Sequence, residues 1–549
     1  MPDESGDRLQ IYRNRSASGG VNTLSHPYDI NDDQAVDLTN IDTSSPGVRA
    51  SRKGMSLIAS GATFGPPLAL QEYTPSSFNA ELLMVAPGTT YPTAAHLKLW
   101  KWDGTTTVWS LVGTLTGFTS ATMPIDVVPG LDLNAVGGPA VVRISTRQAQ
   151  DIAYVYNGSA LASCQQQPTT GMSPIVYGLN RAFGAGRAGL SRSKIFYSDV
   201  ASFCATGWKS TQALTMGGGS RQEVVAVKFF RQNDLIVFMA DRVEALQVVD
   251  NPFTISSGDV ATQTWSRQVV DTTIGCGARR SVVTVGQDLF FCDQYGNIRS
   301  LARTIQDNAQ GTTTRPISAA IQTWIDRINP NSFDTIVATA YDRYYVVGFP
   351  IDSATRPSHT FVFDRVNESW MGPWTGGWQP ECMAVATLNA ASASADRNPT
   401  LYLGAQSTGN ALVYRTFSGT TDAGSAIVYQ ETGKRITADQ LEADKLYRRI
   451  KTYFSASGAA TMQIEARRNG ETYRTVGYVD LTGDLPALPQ TLPFDLGGGG
   501  VIEDTQTLED FEVSKDLQLR FTCTATTEVK MLGYSVAIHR KNFDWTLSP

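Results

Sequence analysis

Runs of apolar residues, each closed by a tight turn and answered by a second short run, recur along this chain. The clearest copy is Asp288–Leu301, DLFFCDQYGNIRSL, in which Leu289, Phe290 and Phe291 meet a turn at Tyr295-Gly296-Asn297 before a second short strand. Related units are Asp234–Gln247 (DLIVFMADRVEALQ), Arg343–Trp374 (RYYVVGFP, then FVFDRVNESWMGPW) and Leu401–Arg415 (LYLGAQSTGNALVYR). A small β-meander cannot bury its own apolar face, so several must pack side by side in a ring or a stack. Further strand cues within residues 61–425 are His96–Asp103, Ala140–Ile144, Ile152–Tyr156 and Lys194–Ser198. At roughly 40–50 residues per propeller blade, and allowing for insertions, about six to eight units are expected there.

Three stretches depart from that pattern. Ile317–Ile328 puts Ile317, Ala320, Ile321, Trp324, Ile325 and Ile328 on one helical stripe, which predicts an inserted helix packed on the edge of the body. Residues 426–549 instead alternate apolar with polar side chains in Leu446–Phe454, Thr461–Arg467, Leu517–Cys523 and Leu532–Ile538, the two-faced strands of a β-sandwich or platform domain. Arg468-Asn469-Gly470 is a hairpin turn candidate. Residues 1–60 read as an extended N-terminal arm with turns at Gly19-Gly20 and Pro46-Gly47. Within it a short helical turn is expected at Asp33–Leu38 and a strand pair in Val48–Ile58 around Lys53-Gly54. The fold class expected is all-β: a propeller-like body of six to eight blades, an extended arm and a terminal sandwich.

Composition supports a large core and short strands. Of 549 residues, 42% are hydrophobic and only 17% charged, and the 48 glycines suit turns rather than long helices. The net charge of −6 argues against a nucleic-acid binder held by phosphate contacts, although not against a surface past which DNA slides. The start, MPDESGDRLQ, lacks the basic and apolar regions of a secretory signal, and no apolar run approaches a membrane span. A soluble protein made in a cytoplasm is expected. The six cysteines (Cys164, Cys204, Cys276, Cys292, Cys382, Cys523) are scattered without CxxC, so buried thiols are expected rather than a disulfide framework.

Sites of chemistry are sparse. Gly184-Ala185-Gly186-Arg187-Ala188-Gly189 matches GxGxxG, but LSRSKIFYS follows as turn and strand, not helix, and no acidic residue stands about 20 positions on. Ser257–Trp265 begins like the S-x-D-x-G-x-T-W turn of propeller sialidases. Ala261 replaces its glycine, however, and one extra residue precedes Thr264-Trp265. His26, His96, His359 and His539 are far apart, and no HExxH or GxSxG is present. Asp29, Asn31, Asp32 and Asp33 lack the glycine and closing glutamate of an EF-hand loop, and Leu496–Gly500 lacks the helix context of a phosphate cradle. Trp100, Trp102, Trp109, Trp370, Trp374 and Trp378 suit packing at blade edges better than a glycan groove. Arg448, Arg449, Lys451, Arg467 and Arg468 are outward charges of the terminal domain, read as solvated strand faces. No catalytic, cofactor-binding or metal residue is assigned, no cofactor is expected, and an enzyme is not expected.

Three stretches carry a resemblance. The N-terminal arm has Gly19-Gly20-Val21-Asn22, Asp32-Asp33-Gln34-Ala35, Leu38-Thr39-Asn40, then Gly47, Arg49, Arg52 and Gly54. Lys194–Trp208 has a strand, Tyr-Ser, a turn and Trp. Asp288–Leu301 ends in Gly296-Asn297-Ile298-Arg299-Ser300-Leu301. Together they resemble the tail nozzle proteins of short-tailed phages, also called tail tubular protein B or head-to-tail stabilisation proteins. The resemblance implies a virion structural protein, made in the bacterial host cytoplasm. It would form a homo-oligomeric ring, commonly a hexamer, below the portal and adaptor proteins. Such a ring extends the DNA channel with transient passage of DNA but no specific binding, and offers docking surface to tail fibre or spike proteins. The alternative is a glycan-binding or glycan-degrading propeller, a depolymerase, with a deep axial pocket of carboxylates and arginines.

Overall fold

Seven antiparallel sheets follow one another along the body of the chain. A computed structural model describes residues 9–540 except 59–64, 76–78, 89–96, 105, 107, 119–124, 134–138, 148–151, 165–171, 187–191, 205–207, 218–221, 232–233, 249–264, 311–314, 389–397, 408–409, 439–443, 483–500 and 509–512. The first strands of the seven sheets are Ala69–Tyr73, Asp126–Leu131, Ile175–Gly178, Val224–Phe230, Cys276–Val285, Val337–Tyr341 and Pro380–Ala386. Each packs on the next in that order, and Pro380–Ala386 packs back on Ala69–Tyr73, which closes a ring. The described chain is all-β with many four-stranded antiparallel sheets, an arrangement consistent with a β-propeller. Its second strands are covered on both faces by neighbouring sheets, and so read as unbroken apolar runs: Glu81–Pro87 and Tyr344–Phe349 are buried almost throughout.

The fifth sheet has three strands, the last being Ile298–Ser300, and the chain then enters a helix, Leu301–Gln310, that the sequence pattern does not disclose. Ser300 caps it by accepting from the Arg303 amide (3.0 Å), while Asp288 accepts from the Ala302 amide (2.9 Å). The helix expected over Ile317–Ile328 is a 3-10 segment, Ile317–Ile321, followed by one α-turn, Gln322–Ile325. Its stripe packs on the core as the spacing implies.

The C-terminal strands form two facing layers. One holds Lys445–Ala456, Val529–Arg540 and Ile502–Thr507; the other holds Ile427–Ile436, Leu517–Ala525, Thr461–Arg468 and Arg474–Asp480. Tyr447, Ile450, Phe454, Ile464, Leu519, Phe521 and Val536 fill the space between them. Asn469 and Gly470 both adopt positive φ (48° and 76°), the turn expected there.

The N-terminal residues are threaded through both parts. Leu9–Asn14 pairs with Val529–Arg540, and Arg49–Ser51 joins the same strand. Asp37–Thr39 lies between Ser369–Trp374 of the sixth sheet and Ile427–Ile436 of the sandwich, making the two one continuous sheet. Met55–Leu57 supplies the outermost strand of the seventh sheet. Two local expectations are corrected. Asp33–Leu38 is not a helical turn but contributes the strands Gln34–Ala35 and Asp37–Thr39. Arg49–Ser51 and Met55–Leu57 do not pair with each other, because each finds a longer partner strand in a different part of the molecule.

The expectation of unbonded cysteines is corrected for one pair. Cys164, at the end of the second sheet, is bonded to Cys204 of the third, a proximity that 40 residues of separation conceal. Cys276, Cys292, Cys382 and Cys523 are free and buried.

Candidate functional site

Of the stretches that carry the resemblance, the N-terminal one joins the ring of sheets to the sandwich, and the other two fix turns and contacts within the ring. Arg49 is fully buried, and its guanidinium meets the Glu431 carboxylate and donates to Asn14 Oδ1 (2.6 Å), tying the N-terminal segment to both sandwich layers. Tyr429 donates its hydroxyl to the same carboxylate (3.0 Å). Arg52 makes a two-pronged contact with Asp422 (2.8 and 2.6 Å) and donates to the Thr375 carbonyl (2.8 Å) and to Asn40 Oδ1 (2.9 Å). Gly54 passes so close to the chain that a Cβ there would overlap the Thr421 carbonyl oxygen. In Lys194–Trp208, Arg181 donates to the Ser198 carbonyl (2.7 Å), and Trp208 lies under Arg143, whose guanidinium reaches the Phe203 carbonyl (2.7 Å). Burial pulls the Arg143 guanidinium down to about 10, against the nearby Asp132 carboxylate. In Asp288–Leu301, Asp293 accepts from the Tyr295 and Asn297 amides (2.9 Å each) and from Arg299 Nε (2.6 Å), which fixes the turn.

The sandwich carries an exposed concentration of positive charge. Its central outer strand presents Gly533, Ser535 and Ala537 on one face, small side chains that leave a trough. Arg13 lies across from Ser535 on one side and Lys451 on the other, while Ile11 and Arg449 flank Ala537. Arg15, Tyr453 and Val501 complete a groove of about 500 Å3. Lys451 contacts Glu503, and that hydrogen bond holds its ammonium above the ordinary lysine value. The other three cations make no ion pair among the described residues.

Of the outward charges singled out in the sequence, the structure brings Arg449 and Lys451 together in this groove. Arg448 is a bulge residue: the pairing with Val529–Arg540 skips it between Tyr447 and Arg449, so two consecutive arginines face solvent. Arg467 and Arg468 belong to the other layer, where they engage Gln518 (2.8 Å) and Glu471 (3.4 Å). Arg13 and Arg15 escape a reading of the sequence, because their places depend on the pairing of the two chain ends.

A second cavity, of about 270 Å3, lies on the axis of the ring and is lined by first strands of all seven sheets. Asp126, Lys228, Arg279 and Arg280 are its charged lining residues. Asp126 is therefore its single carboxylate among the described residues, and it is engaged by Arg279, Ser173 Oγ (2.7 Å) and the Ile175 amide (3.2 Å). The six tryptophans considered for a glycan groove are buried. Burial pushes the Cys276 thiol up to about 12, far from a thiolate at neutral pH. Among the described residues no group of three His, Cys, Asp or Glu side chains is placed to hold a metal ion, and no helix is long and apolar enough to cross a membrane. The Arg187–Gly189 end of the GxGxxG stretch, residues 257–264 and Leu496–Gly500 lie outside the described residues.

No protein family and no curated protein matches the sequence. Solved structures give distant likenesses. The extracellular domain of a one-component-system protein of B. thetaiotaomicron aligns with a TM-score of 0.39 at 8% identity, covering 78% of this chain and 46% of that one. An exo-β-1,3-galactanase of Phanerochaete chrysosporium aligns at 0.24 and 11% identity, covering 89% and 100%. A glycoside hydrolase family 43 arabinoxylan arabinofuranohydrolase of Bacillus subtilis aligns at 0.24 and 8% identity, covering 86% and 95%. The chain thus spans less than half the length of the first of these. At such scores neither fold nor function transfers from these proteins to this chain.

Proposed function

We propose that the chain is a seven-bladed propeller laced to a β-sandwich, and that it works as a non-enzymatic subunit of a phage tail ring that continues a DNA channel below the portal and adaptor. The observation that supports this most is the lacing itself. Arg49, Arg52 and Gly54, together with Leu38 in the shared strand, hold the two parts together as one piece. A conduit wall under pressure needs such rigidity, whereas a hydrolase needs an open site with paired carboxylates.

The axial cavity does not supply that pair. Glycoside hydrolysis uses two carboxyl groups roughly 5–10 Å apart, and the axis offers Asp126 alone among the described residues, already held by Arg279. The same cavity is far too small for a duplex, so in this reading DNA passes between protomers and not along the propeller axis. A closed ring requires a heterologous contact, one surface of a protomer meeting a different surface of the next. The cation-walled groove of Arg13, Arg15, Arg449 and Lys451, on a chain of net charge −6, is complementary to an acidic face of a second copy.

The test is the mass of the purified protein in solution, alone and as Arg13→Glu/Arg449→Glu. A closed oligomer at low salt that the double variant reduces to monomer is the expected result. A wild-type monomer at every concentration that releases reducing sugar from host polysaccharide would overturn the proposal in favour of a depolymerase.

A further inference from the structure

The lining of the axial cavity holds three cations, Lys228, Arg279 and Arg280, and one carboxylate, Asp126, among the described residues. Arg279 is matched by Asp126. Arg280, its neighbour, bonds to no carboxylate among the described residues, although Glu381 and Asp334 act on it through space: it donates to the Glu381 carbonyl (2.8 Å) and, at longer range, to the carbonyls of Thr335 (3.4 Å) and Leu68 (3.5 Å), and its Nε has no hydrogen-bond partner among the described residues. Both arginines reach the cavity because the strand Cys276–Val285 is irregular. Its pairing with Asp288–Asp293 jumps from Ala278 to Val283, so the usual alternation of faces is lost between them. From the strand Val224–Phe230, Lys228 also lines the cavity, with no hydrogen bond and no ion pair among the described residues. The remaining lining is apolar or neutral, including Gln71, Ile175, Val337 and Met383.

Lys228 and Arg280 are half-buried in a pocket open to solvent and neither is bonded to a carboxylate among the described residues, so their partial loss of water carries a cost that an anion sharing the pocket would offset. Burial already pulls both the Lys228 ammonium and the Arg280 guanidinium below their ordinary values. The cavity, at about 270 Å3, is much larger than the ~30 Å3 share of one water. We propose that the propeller axis is a binding site for a small oxyanion, a phosphate, a phosphomonoester or a carboxylate, held by Lys228 and Arg280 beside the Arg279–Asp126 pair. The carbonyl contacts of Arg280 reach the first and seventh sheets and the segment leading into the sixth. A bound anion would therefore brace the ring at the point where it closes.

The site stands or falls separately from ring assembly. The experiment is thermal unfolding and calorimetry of the full chain with inorganic phosphate, sulfate, glucose 6-phosphate or citrate, against chloride at equal ionic strength. Saturable stabilisation by at least one of these probes is expected, weakened tenfold or more in Lys228→Met and retained in Lys228→Arg, which keeps the charge. The pattern of probes identifies the class: phosphate and sulfate without glucose 6-phosphate means a free inorganic anion, and citrate alone means a carboxylate. Equal, non-saturating effects of every salt on wild type and Lys228→Met would overturn the proposal. So would undiminished binding in a folded Lys228→Met protein.

Discussion

Replacing Arg49 by Met removes a charge while keeping most of the side-chain volume, and so isolates the joint between the N-terminal segment and the sandwich. In the native protein Glu431 is buried and accepts from Arg49 and from the Tyr429 hydroxyl. In the variant the carboxylate keeps only Tyr429, and Asn14 Oδ1 loses its donor. Removing one member of a buried ion pair costs about 3–5 kcal/mol. Glu431→Met strands the guanidinium instead and costs a similar amount. The double variant strands neither charge; it leaves the Tyr429 hydroxyl and Asn14 Oδ1 short of a partner, worth about 1–3 kcal/mol each. The two single losses would sum to about 6–10 kcal/mol, so the pair should show a coupling of several kcal/mol. Tryptophan fluorescence is a poor reporter, because all ten tryptophans except Trp545 precede the sandwich. Hydrogen exchange read on peptides from Ile427–Ile436 and Val529–Arg540 reports the local opening free energy directly. Additive losses in the double variant, or a wild-type-like Arg49→Met, would refute the view that this ion pair holds the joint.

Three further outcomes follow from the same geometry. Gly54→Ala should destabilise by about 1–3 kcal/mol through overpacking against the Thr421 carbonyl, measured by urea unfolding. Arg52→Lys loses the two-pronged contact with Asp422, and should cost about 1.5–3 kcal/mol and speed proteolysis between Thr375 and Asp422. Lys228→Met in chloride buffer should stabilise the protein at neutral pH. The native ammonium sits below its unfolded value of about 10.4, so between the two values the unfolded chain binds more protons and wild-type stability rises with pH. The advantage of the variant should therefore shrink as pH climbs toward that upper value; an advantage independent of pH would contradict the assignment.

How much is legible in the sequence depends on how local the cause is. Alternation in Leu446–Phe454 and the apolar runs of Asp234–Met239 and Tyr344–Phe349 are local, and each forms a strand. Val48–Ile58 looks like a hairpin because Lys53-Gly54 offers a turn, but its two halves are claimed by strands near residues 530 and 414, which no nearby residue announces. Leu301–Gln310 escapes notice because it runs straight on from a strand and buries only Leu301 and Thr304, too thin a stripe to register; Ser300 as its cap is the available signal. The axial cluster is hidden for two reasons. Its residues meet only when seven distant strands close a ring, and a strand irregularity places adjacent Arg279 and Arg280 where alternation would put one. The groove likewise needs the pairing of Leu9–Asn14 with Val529–Arg540.

The proposed role as a ring subunit is tested most directly by electron microscopy of the purified protein. Closed rings of identical subunits are expected, with an open passage between protomers and no duplex-wide opening through the ring of seven sheets within each one. Isolated single particles at all concentrations, or rings whose only opening runs along the propeller axis past Lys228 and Arg280, would contradict it.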